Sequence, residues 1–303
     1  MALGLYFEAE GLSFDKMLGE IRDLGASHVA FVVHWAQDDV TSSEIAPDPV
    51  ETLPDTRLRA VILKAHSLGL RVLLLPIVHL RTRRIGQWRG TLKPTDWEAW
   101  WSDYRRFLMH YTDMAAQTKV ELLSVGSELV TTEADRGRWA TLIKEVRARY
   151  RGRLLYSANW DHYRPVAFWD LVDVIGLTGY HKLTESKEPS LAELTASWQI
   201  IRKELVRFQR EVGKPLLFTE LGYPSQDGAA SHPWDYTTSE PVDLLEQALC
   251  YRAFVEAWKG ERALAGVFFW NWFGYGGEKS TYYTPKGKPA EGIIRAWFAG
   301  DPP

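Results

Sequence analysis

The sequence predicts an α/β fold, a single (β/α)8 TIM barrel that spans residues 1–303. Eight short apolar, β-branched runs alternate with longer amphipathic stretches, and no Gly-, Pro- or Ser-rich linker interrupts this alternation. The near-continuous hydrophobicity of the short runs is typical of strands that are buried on both faces of a parallel sheet. Dividing the length by about 150 residues per domain would suggest two domains, but α/β barrels often reach roughly 250 residues as one unit.

The predicted strands fix the positions of the connections between them. They comprise residues 3–7, 28–33, 71–77, 120–125, 154–158, 172–177, 215–219 and 264–270. The predicted helices lie between them, at residues 13–24, 55–68, 95–117, 135–150, 190–212, 242–258 and 290–298, with a short helical turn at 168–171. Gly25, Gly69 and Gly213 each follow a predicted helix and precede a strand, as expected of helix-to-strand connections.

A doubly wound sheet is the competing α/β fold, and it commonly carries a Gly-rich loop after its first strand. Here that loop reads Glu8-Ala9-Glu10-Gly11 and lacks the GxGxxG pattern, which favours the barrel. Long connections at 34–54, 78–94, 221–241 and 271–289 then follow the carboxyl ends of strands. In a barrel this is the face on which active sites form.

The composition excludes several classes of protein. The chain has 36 Lys and Arg against 39 Asp and Glu, a net charge of −3 that argues against nucleic-acid binding. The single Cys excludes an internal disulfide and a four-Cys zinc site. The longest apolar run, residues 72–78, is far shorter than the about 20 residues that span a bilayer, so no membrane span is expected.

Other chemistries lack their sequence signatures. The eight His are scattered without an HExxH pattern, and no GxSxG is present, so we expect neither a metal, a cofactor nor a serine-hydrolase triad. A strand-like run begins almost directly after Met1, so no signal peptide is expected in this sequence. The chain is therefore expected to be cytoplasmic, or extracellular or in the cell envelope if a leader was removed. The sequence leaves the oligomeric state open.

The residues at the carboxyl ends of the predicted strands are expected to converge on one pocket. They combine carboxylates with aromatic rings and neutral hydrogen-bonding groups, a mixture typical of a sugar site. These residues are Tyr6, Glu8, His34, Trp35, His79, Arg81, Ser127, Glu128, Asn159, Trp160, Tyr180, His181, Glu220, Trp270 and Trp272.

Two carboxylates in this set follow apolar strands directly. Glu128 comes after the fourth predicted strand and Glu220 after the seventh. A Glu at such a position is costly to bury unless it is paired or used, and an ion pair at the barrel mouth is one alternative for either residue alone. Two of them at equivalent strand ends favour catalysis, because glycoside hydrolysis needs one carboxylic acid and one carboxylate.

Four segments resemble glycoside hydrolase family 113, in order and in spacing along nearly the whole chain: VGSEL at 125–129, DVIGLTGY at 173–180, LFTELGY at 217–223 and FFWNW at 268–272. The family comprises (β/α)8 retaining β-mannanases of clan A of the glycoside hydrolases. The resemblance implies that Glu128 is the acid/base, Glu220 is the nucleophile and Tyr180 hydrogen-bonds the nucleophile. Ser127 replaces the Asn that most of the clan has before the acid/base, which favours family 113 over its relatives.

The chain contains 14 Trp, and the positions of twelve of them define two groups. Those in predicted helices are expected to pack in the core: Trp97, Trp100, Trp101, Trp139, Trp198, Trp258 and Trp297. Those at strand ends or in long loops are expected to stack on sugar rings: Trp35, Trp88, Trp160, Trp270 and Trp272. Asn159 and His34 either hydrogen-bond sugar hydroxyls or have structural roles.

The loop after the third strand, residues 79–90, contains four Arg and no acidic residue. These Arg either pair with acids elsewhere in the chain or recognise an anionic group on a glycan, because Arg matches carboxylates and phosphates in bidentate geometry. His79 and Arg81 are accordingly placed among the binding residues.

The leading hypothesis is a retaining endo-β-glycosidase that acts on an oligo- or polysaccharide, with β-1,4-mannan as the substrate that the resemblance implies. One alternative is a hydrolase or transglycosidase of another β-linked glycan, such as an acidic polysaccharide, a glucan or peptidoglycan. An alternative of another class is a non-catalytic glycan-binding barrel. Such a barrel has no need of both Glu128 and Glu220.

Overall fold

The computed structural model of the chain describes residues 1–8, 10–235, 237 and 240–300. Its strands are β1 (Ala2–Gly4), β2 (His28–Gln37), β3 (Arg71–Leu80), β4 (Leu122–Ser127), β5 (Arg153–Ala158), β6 (Val174–Thr178), β7 (Leu216–Leu221) and β8 (Leu264–Phe269). Its α-helices are α1 (Phe14–Asp23), α2 (Asp55–Ser67), α3 (Trp97–Thr118), α4 (Arg136–Arg149), α5 (Leu191–Val212), α6 (Leu244–Trp258) and α7 (Pro289–Ala299). Short 3-10 turns cover Arg89–Thr91, Val130–Thr132 and Trp169–Leu171.

The eight strands form one sheet in the order β1 to β8, and each neighbouring pair is parallel. After β8, the amide of Trp272 donates to the carbonyl of Ala2 at 2.9 Å, which brings the last strand back to the first. The predicted (β/α)8 barrel is confirmed.

All eight strands differ from their predicted bounds by at least one residue, and β1, β2 and β3 differ by three or more at one end. β1 covers Ala2–Gly4 and ends before the predicted 3–7 run does. β2 and β3 are longer than predicted, because they pair in continuous register from His28 opposite Arg71 to Gln37 opposite Leu80. The polar residues at the ends of these two strands are therefore held by the sheet itself.

Two layers of core residues lie on opposite faces of the sheet. The barrel interior is filled by Ala2, Ala30, Val32, Leu73, Leu75, Ile77, Leu155, Val174, Leu217 and Phe268. A larger layer lies between the sheet and the helices. Because successive side chains on a strand point to opposite faces, this division determines which strand-end residues face the barrel mouth.

The Trp residues in the helices pack in the core, as predicted. Trp100, Trp139, Trp198 and Trp258 are among the largest fully buried side chains of the outer layer. Trp97, Trp101 and Trp297 are partly buried against the same layer. Among the described residues, no helix is both long and apolar enough to cross a membrane.

Candidate active site

Glu128 and Glu220 lie at the carboxyl end of the barrel. Glu128 directly follows β4, and Glu220 is the penultimate residue of β7. Their exposed fractions are only 7% and 5%. Burial and the nearby charge of Glu128 raise the pKa of Glu220 to about 7, while Arg89 and the hydrogen bond from Tyr180 act in the opposite direction. The charge of Glu128 is thus one of the causes that make Glu220 a weaker acid than a free glutamic acid.

Glu220 accepts a hydrogen bond from a tyrosine that follows the neighbouring strand, β6. The Tyr180 hydroxyl donates to Glu220 Oε2 at 3.0 Å. Tyr180 follows β6, and its ring packs edge-on against Tyr283 with centroids 6.1 Å apart. Burial and the charge of Glu220 raise the pKa of Tyr180 well above its usual value, so the phenol keeps its proton and remains a donor.

Glu128 receives a donor on each carboxylate oxygen. Arg89 Nη2 donates to Oε2 at 2.6 Å, and Thr178 Oγ1 donates to Oε1 at 3.0 Å. Thr178 ends β6 and is fully buried. These two contacts hold one oxygen each of the Glu128 carboxylate.

Arg89 and Thr178 contact Glu128, and the sequence reasoning did not single out either of them. Arg89 begins the 3-10 turn Arg89–Thr91 after β3 and forms the ion pair with Glu128. Burial works against its charge, but the carboxylates of Glu128 and Glu220 outweigh burial and raise the pKa of Arg89. The Arg-rich composition of the loop signalled charge at this face, but spacing alone did not distinguish Arg89 from Arg81, Arg83 and Arg84.

Two histidines lie on β2 and β3, the strands that precede β4 in the sheet. His34 on β2 and His79 on β3 have ring centroids 5.3 Å apart, and the ring of Tyr6 is 6.1 Å from that of His34. Burial, followed by the charge of His79, lowers the pKa of His34 to about 4. His34 Nε2 is buried without a hydrogen-bond partner among the described residues. Glu51 Oε2 lies 3.8 Å from this nitrogen, which is beyond hydrogen-bond distance, so the neutral imidazole can still bind a sugar hydroxyl.

Asn159 and Trp160 lie next to Thr178. The Thr178 hydroxyl is 3.4 Å from Asn159 Oδ1 and accepts from the amide of Trp160 at 3.2 Å. The indole of Trp160 stacks on that of Trp234 at 5.6 Å with an interplanar angle of 20°. Because Trp234 is 42% exposed, this pair presents an aromatic surface to solvent.

Trp270 and Trp88 lie on loops that adjoin the carboxylates. The Trp270 amide donates to the carbonyl of Leu221, the neighbour of Glu220, at 2.8 Å. Gly222 permits this approach, since a Cβ there would come within 2.4 Å of the Trp270 carbonyl oxygen. Trp270 is half-buried and packs against the barrel interior. Trp88 is half-buried as well and directly precedes Arg89.

The structure places Trp35 and Trp272 away from these residues, which corrects the prediction that they contact sugar. Trp35 packs on Phe107 and Tyr111 of α3 at centroid distances of 5.6 and 6.4 Å. The side chains of Ala30 and Val32 face the barrel interior, so the same alternation turns His34 inward and Trp35 outward. Trp272 is 3% exposed and donates through Nε1 to Glu20 of α1 at 2.9 Å.

The predicted contact between Arg81 and substrate has a competing explanation in the structure. Arg81 forms ion pairs with Asp38 at 2.6 Å and Asp48 at 2.9 Å. Together with the Arg89–Glu128 pair, this matches the alternative in which loop arginines pair with acids elsewhere in the chain. Within the described part of the chain, no group of three His, Cys, Asp or Glu is arranged to hold a metal ion.

Comparisons with known proteins agree with this geometry. The sequence model of glycoside hydrolase family 113 matches residues 8–284. A solved family 113 β-1,4-mannanase superposes with a TM-score of 0.88 at 27% identity, covering 99% of this chain and 97% of the other. The family 113 β-mannanase AaManA from Alicyclobacillus acidocaldarius, solved in complex with ManMIm, gives 0.88 at 28% identity, covering 99% and 96%. No protein with a curated description matches the chain in sequence.

Proposed function

This chain belongs to glycoside hydrolase family 113, and from that premise we propose that it is a retaining endo-β-1,4-mannanase. The observation that carries the proposal is the pair of buried carboxylates at the ends of β4 and β7, Glu128 and Glu220, which interact electrostatically with each other and with Arg89. The substrate follows from the similarity to solved β-1,4-mannanases over nearly their full lengths.

In the first step, Glu220 attacks the anomeric carbon and forms a covalent glycosyl-enzyme. The Tyr180 hydroxyl, 3.0 Å from Glu220 Oε2, stabilises the charged nucleophile and orients it. Glu128 donates its proton to the departing glycosidic oxygen. In the second step, Glu128 removes a proton from water, and that water releases the sugar with its original anomeric configuration.

The contacts of Glu128 impose a rearrangement on this scheme. Arg89 and Thr178 both act as donors to the two oxygens of Glu128. A protonated carboxyl group is uncharged and has a hydrogen of its own. The Thr178 hydroxyl can accept that hydrogen, but Arg89 has no acceptor and loses its ionic partner. The short Arg89–Oε2 contact therefore opens when Glu128 takes up the proton. Substrate that displaces Arg89 would leave Oε2 without its cationic donor, so that Glu128 can carry the proton that it donates in the first step.

The remaining polar and aromatic groups define where the sugars bind. Neutral His34, with its free Nε2, and Asn159 offer hydrogen bonds to hydroxyl groups. The half-buried ring of Trp270 next to β7 offers an apolar surface against which a sugar ring can stack. Arg81 and Arg89, the charged side chains that approach this site from the loop after β3, already pair with acidic residues of the chain itself, so they give no reason to prefer an anionic sugar.

The test combines substrate choice with removal of each carboxylate. The purified protein is incubated with β-mannan, β-glucan, a uronan and peptidoglycan, and the products are identified by mass spectrometry. We expect manno-oligosaccharides of several lengths from mannan. Glu220→Ala is expected to lower kcat at least about a thousandfold, and Glu128→Gln about 10²- to 10⁴-fold. Variants that retain wild-type rates on mannan, or release of products from another glycan only, would contradict the proposal.

A further inference from the structure

We propose that Tyr156 and Glu133 are positioning residues for Glu128, holding its backbone through the amide of Leu129. Neither Tyr156 nor Glu133 faces the substrate in the proposed mechanism, and the inference rests on the proposed function only in taking Glu128 as the acid/base. Tyr156 is in β5, Glu133 directly follows the 3-10 turn after β4, and Leu129 is the residue after Glu128.

The backbone at Glu128 is in a conformation that needs outside support. Its φ is 54°, in the left-handed region, although Glu128 is not a glycine. A non-glycine residue held there costs of order 1–3 kcal/mol and persists only when its surroundings fix it. The direction of the Glu128 side chain depends on this backbone conformation, so whatever fixes the backbone also aims the carboxyl group.

Two consecutive amides supply the support, and both bond to β5. The Glu128 amide donates to the carbonyl of Ser157 at 2.8 Å. The Leu129 amide donates to the hydroxyl of Tyr156 at 2.9 Å. The first bond is backbone to backbone, whereas the second depends on a side chain that a single substitution can remove.

Glu133 determines how the Tyr156 hydroxyl can be used. The hydroxyl donates to Glu133 Oε1 at 2.6 Å. A phenol has one hydrogen, so donating it to Glu133 leaves only acceptor positions for the Leu129 amide. Glu133 is itself fixed, because it is fully buried and its carbonyl accepts from the amide of Ala167 at 3.0 Å.

Several charged or titratable groups surround the Glu133 carboxyl group. His162 Nε2 lies 3.9 Å from Oε2, and Oε2 has no hydrogen-bond partner among the described residues. Burial raises the pKa of Glu133 to about 8, the Tyr156 hydrogen bond lowers it, and the charges of Glu128 and Asp161 raise it further. At neutral pH the group is an uncharged acid that accepts from Tyr156 without placing a second charge behind Glu128.

The ring of Tyr156 has a separate, structural role. It packs edge-on against Trp139 and Phe168, at centroid distances of 5.5 and 5.1 Å. Tyr156→Phe keeps this packing and removes only the hydroxyl. The variant therefore separates the alignment of Glu128 from the stability of the barrel.

The experiment measures how strongly the rate depends on the leaving group. Loss of acid alignment slows cleavage of a manno-oligosaccharide, whose leaving sugar needs a proton. It has little effect on a dinitrophenyl β-mannobioside, whose leaving group departs unprotonated. For Tyr156→Phe we expect kcat/KM to fall about 10- to 100-fold on the oligosaccharide and to stay within about threefold on the aryl substrate. Glu133→Leu should reproduce this selective loss, and Glu133→Gln, which keeps an acceptor oxygen for Tyr156, should recover most of it.

Tyr150→Phe is the matched control. The Tyr150 hydroxyl is also buried and donates to one backbone carbonyl, that of Val120 at 2.8 Å. Val120 precedes β4, whereas Leu129 follows it. This control should leave the ratio of the two rates unchanged. Equal losses on both substrates, or no loss, in Tyr156→Phe would overturn the inference while the active wild type upheld the proposed function. A wild type inactive on both substrates would overturn both.

Discussion

Glu133→Gln is expected to change how the stability of the protein depends on pH. The folded-state pKa of Glu133, about 8, lies above its ordinary value of 4.5. The folded state therefore keeps a proton that the unfolded chain loses, and the residue destabilises the fold progressively as pH rises from about 4.5 to about 8. Gln has no proton to lose, so the variant lacks this dependence.

The magnitude follows from the size of the pKa change. Each pKa unit corresponds to about 1.4 kcal/mol, so between pH 5 and pH 7 wild type should lose about 2.5 kcal/mol relative to Glu133→Gln. For a chain of 303 residues that is about 4 °C in Tm.

Scanning calorimetry of both proteins at pH 5 and pH 7 measures this difference, and comparing the two proteins cancels every group that they share. The Tm of Glu133→Gln relative to wild type should increase by about 4 °C between the two pH values. A Tm difference that is the same at both would refute the reasoning, because it would mean that Glu133 ionises in the folded protein as it does in water.

Three further substitutions test the site and its packing. Tyr180→Phe removes the hydrogen bond that lowers the pKa of Glu220. We therefore expect kcat/KM to fall about 10- to 100-fold, and the acidic limb of its pH profile to move to higher pH. An unchanged pH profile would contradict the contact. Arg89→Leu should also move the acidic limb of the pH profile to higher pH, because the charge of Arg89 lowers the pKa of Glu220. A shift of that limb to lower pH would contradict this prediction. Gly126→Ala would place a Cβ 2.8 Å from the Tyr104 hydroxyl, and we expect calorimetry to show a loss of about 1–3 kcal/mol; a Tm equal to wild type would show that the site has room.

The fold could be predicted from the sequence because its strands are continuous apolar runs separated by amphipathic helices. The same runs placed Glu128 and Glu220 at equivalent strand ends, where the structure has them. The prediction that Trp35 contacts sugar was wrong, and the sequence itself contained the reason. Trp35 lies one residue from His34, and strand alternation sends neighbouring side chains to opposite faces.

Arg89, Thr178 and Tyr156 could not be assigned in this way. The position of Arg89 depends on the conformation of a loop that carries four arginines, and only the folded chain selects the one that reaches Glu128. Thr178 and Tyr156 occur within apolar strands, where a hydroxyl that bonds a catalytic group has the same sequence pattern as one that satisfies the backbone. Their partners are far away along the chain, so neighbouring residues carry no signal of the contact.

Trapping of the covalent intermediate tests the central claim most directly. The protein is incubated with a 2-deoxy-2-fluoro-β-mannosyl donor that has an activated leaving group, digested with protease, and analysed by tandem mass spectrometry. If Glu220 is the nucleophile of a retaining mechanism, the fluoromannosyl group will be attached to the peptide that contains Glu220, and to that residue. A label on any other residue, or turnover without a covalent adduct and with release of the inverted anomer, would contradict the account.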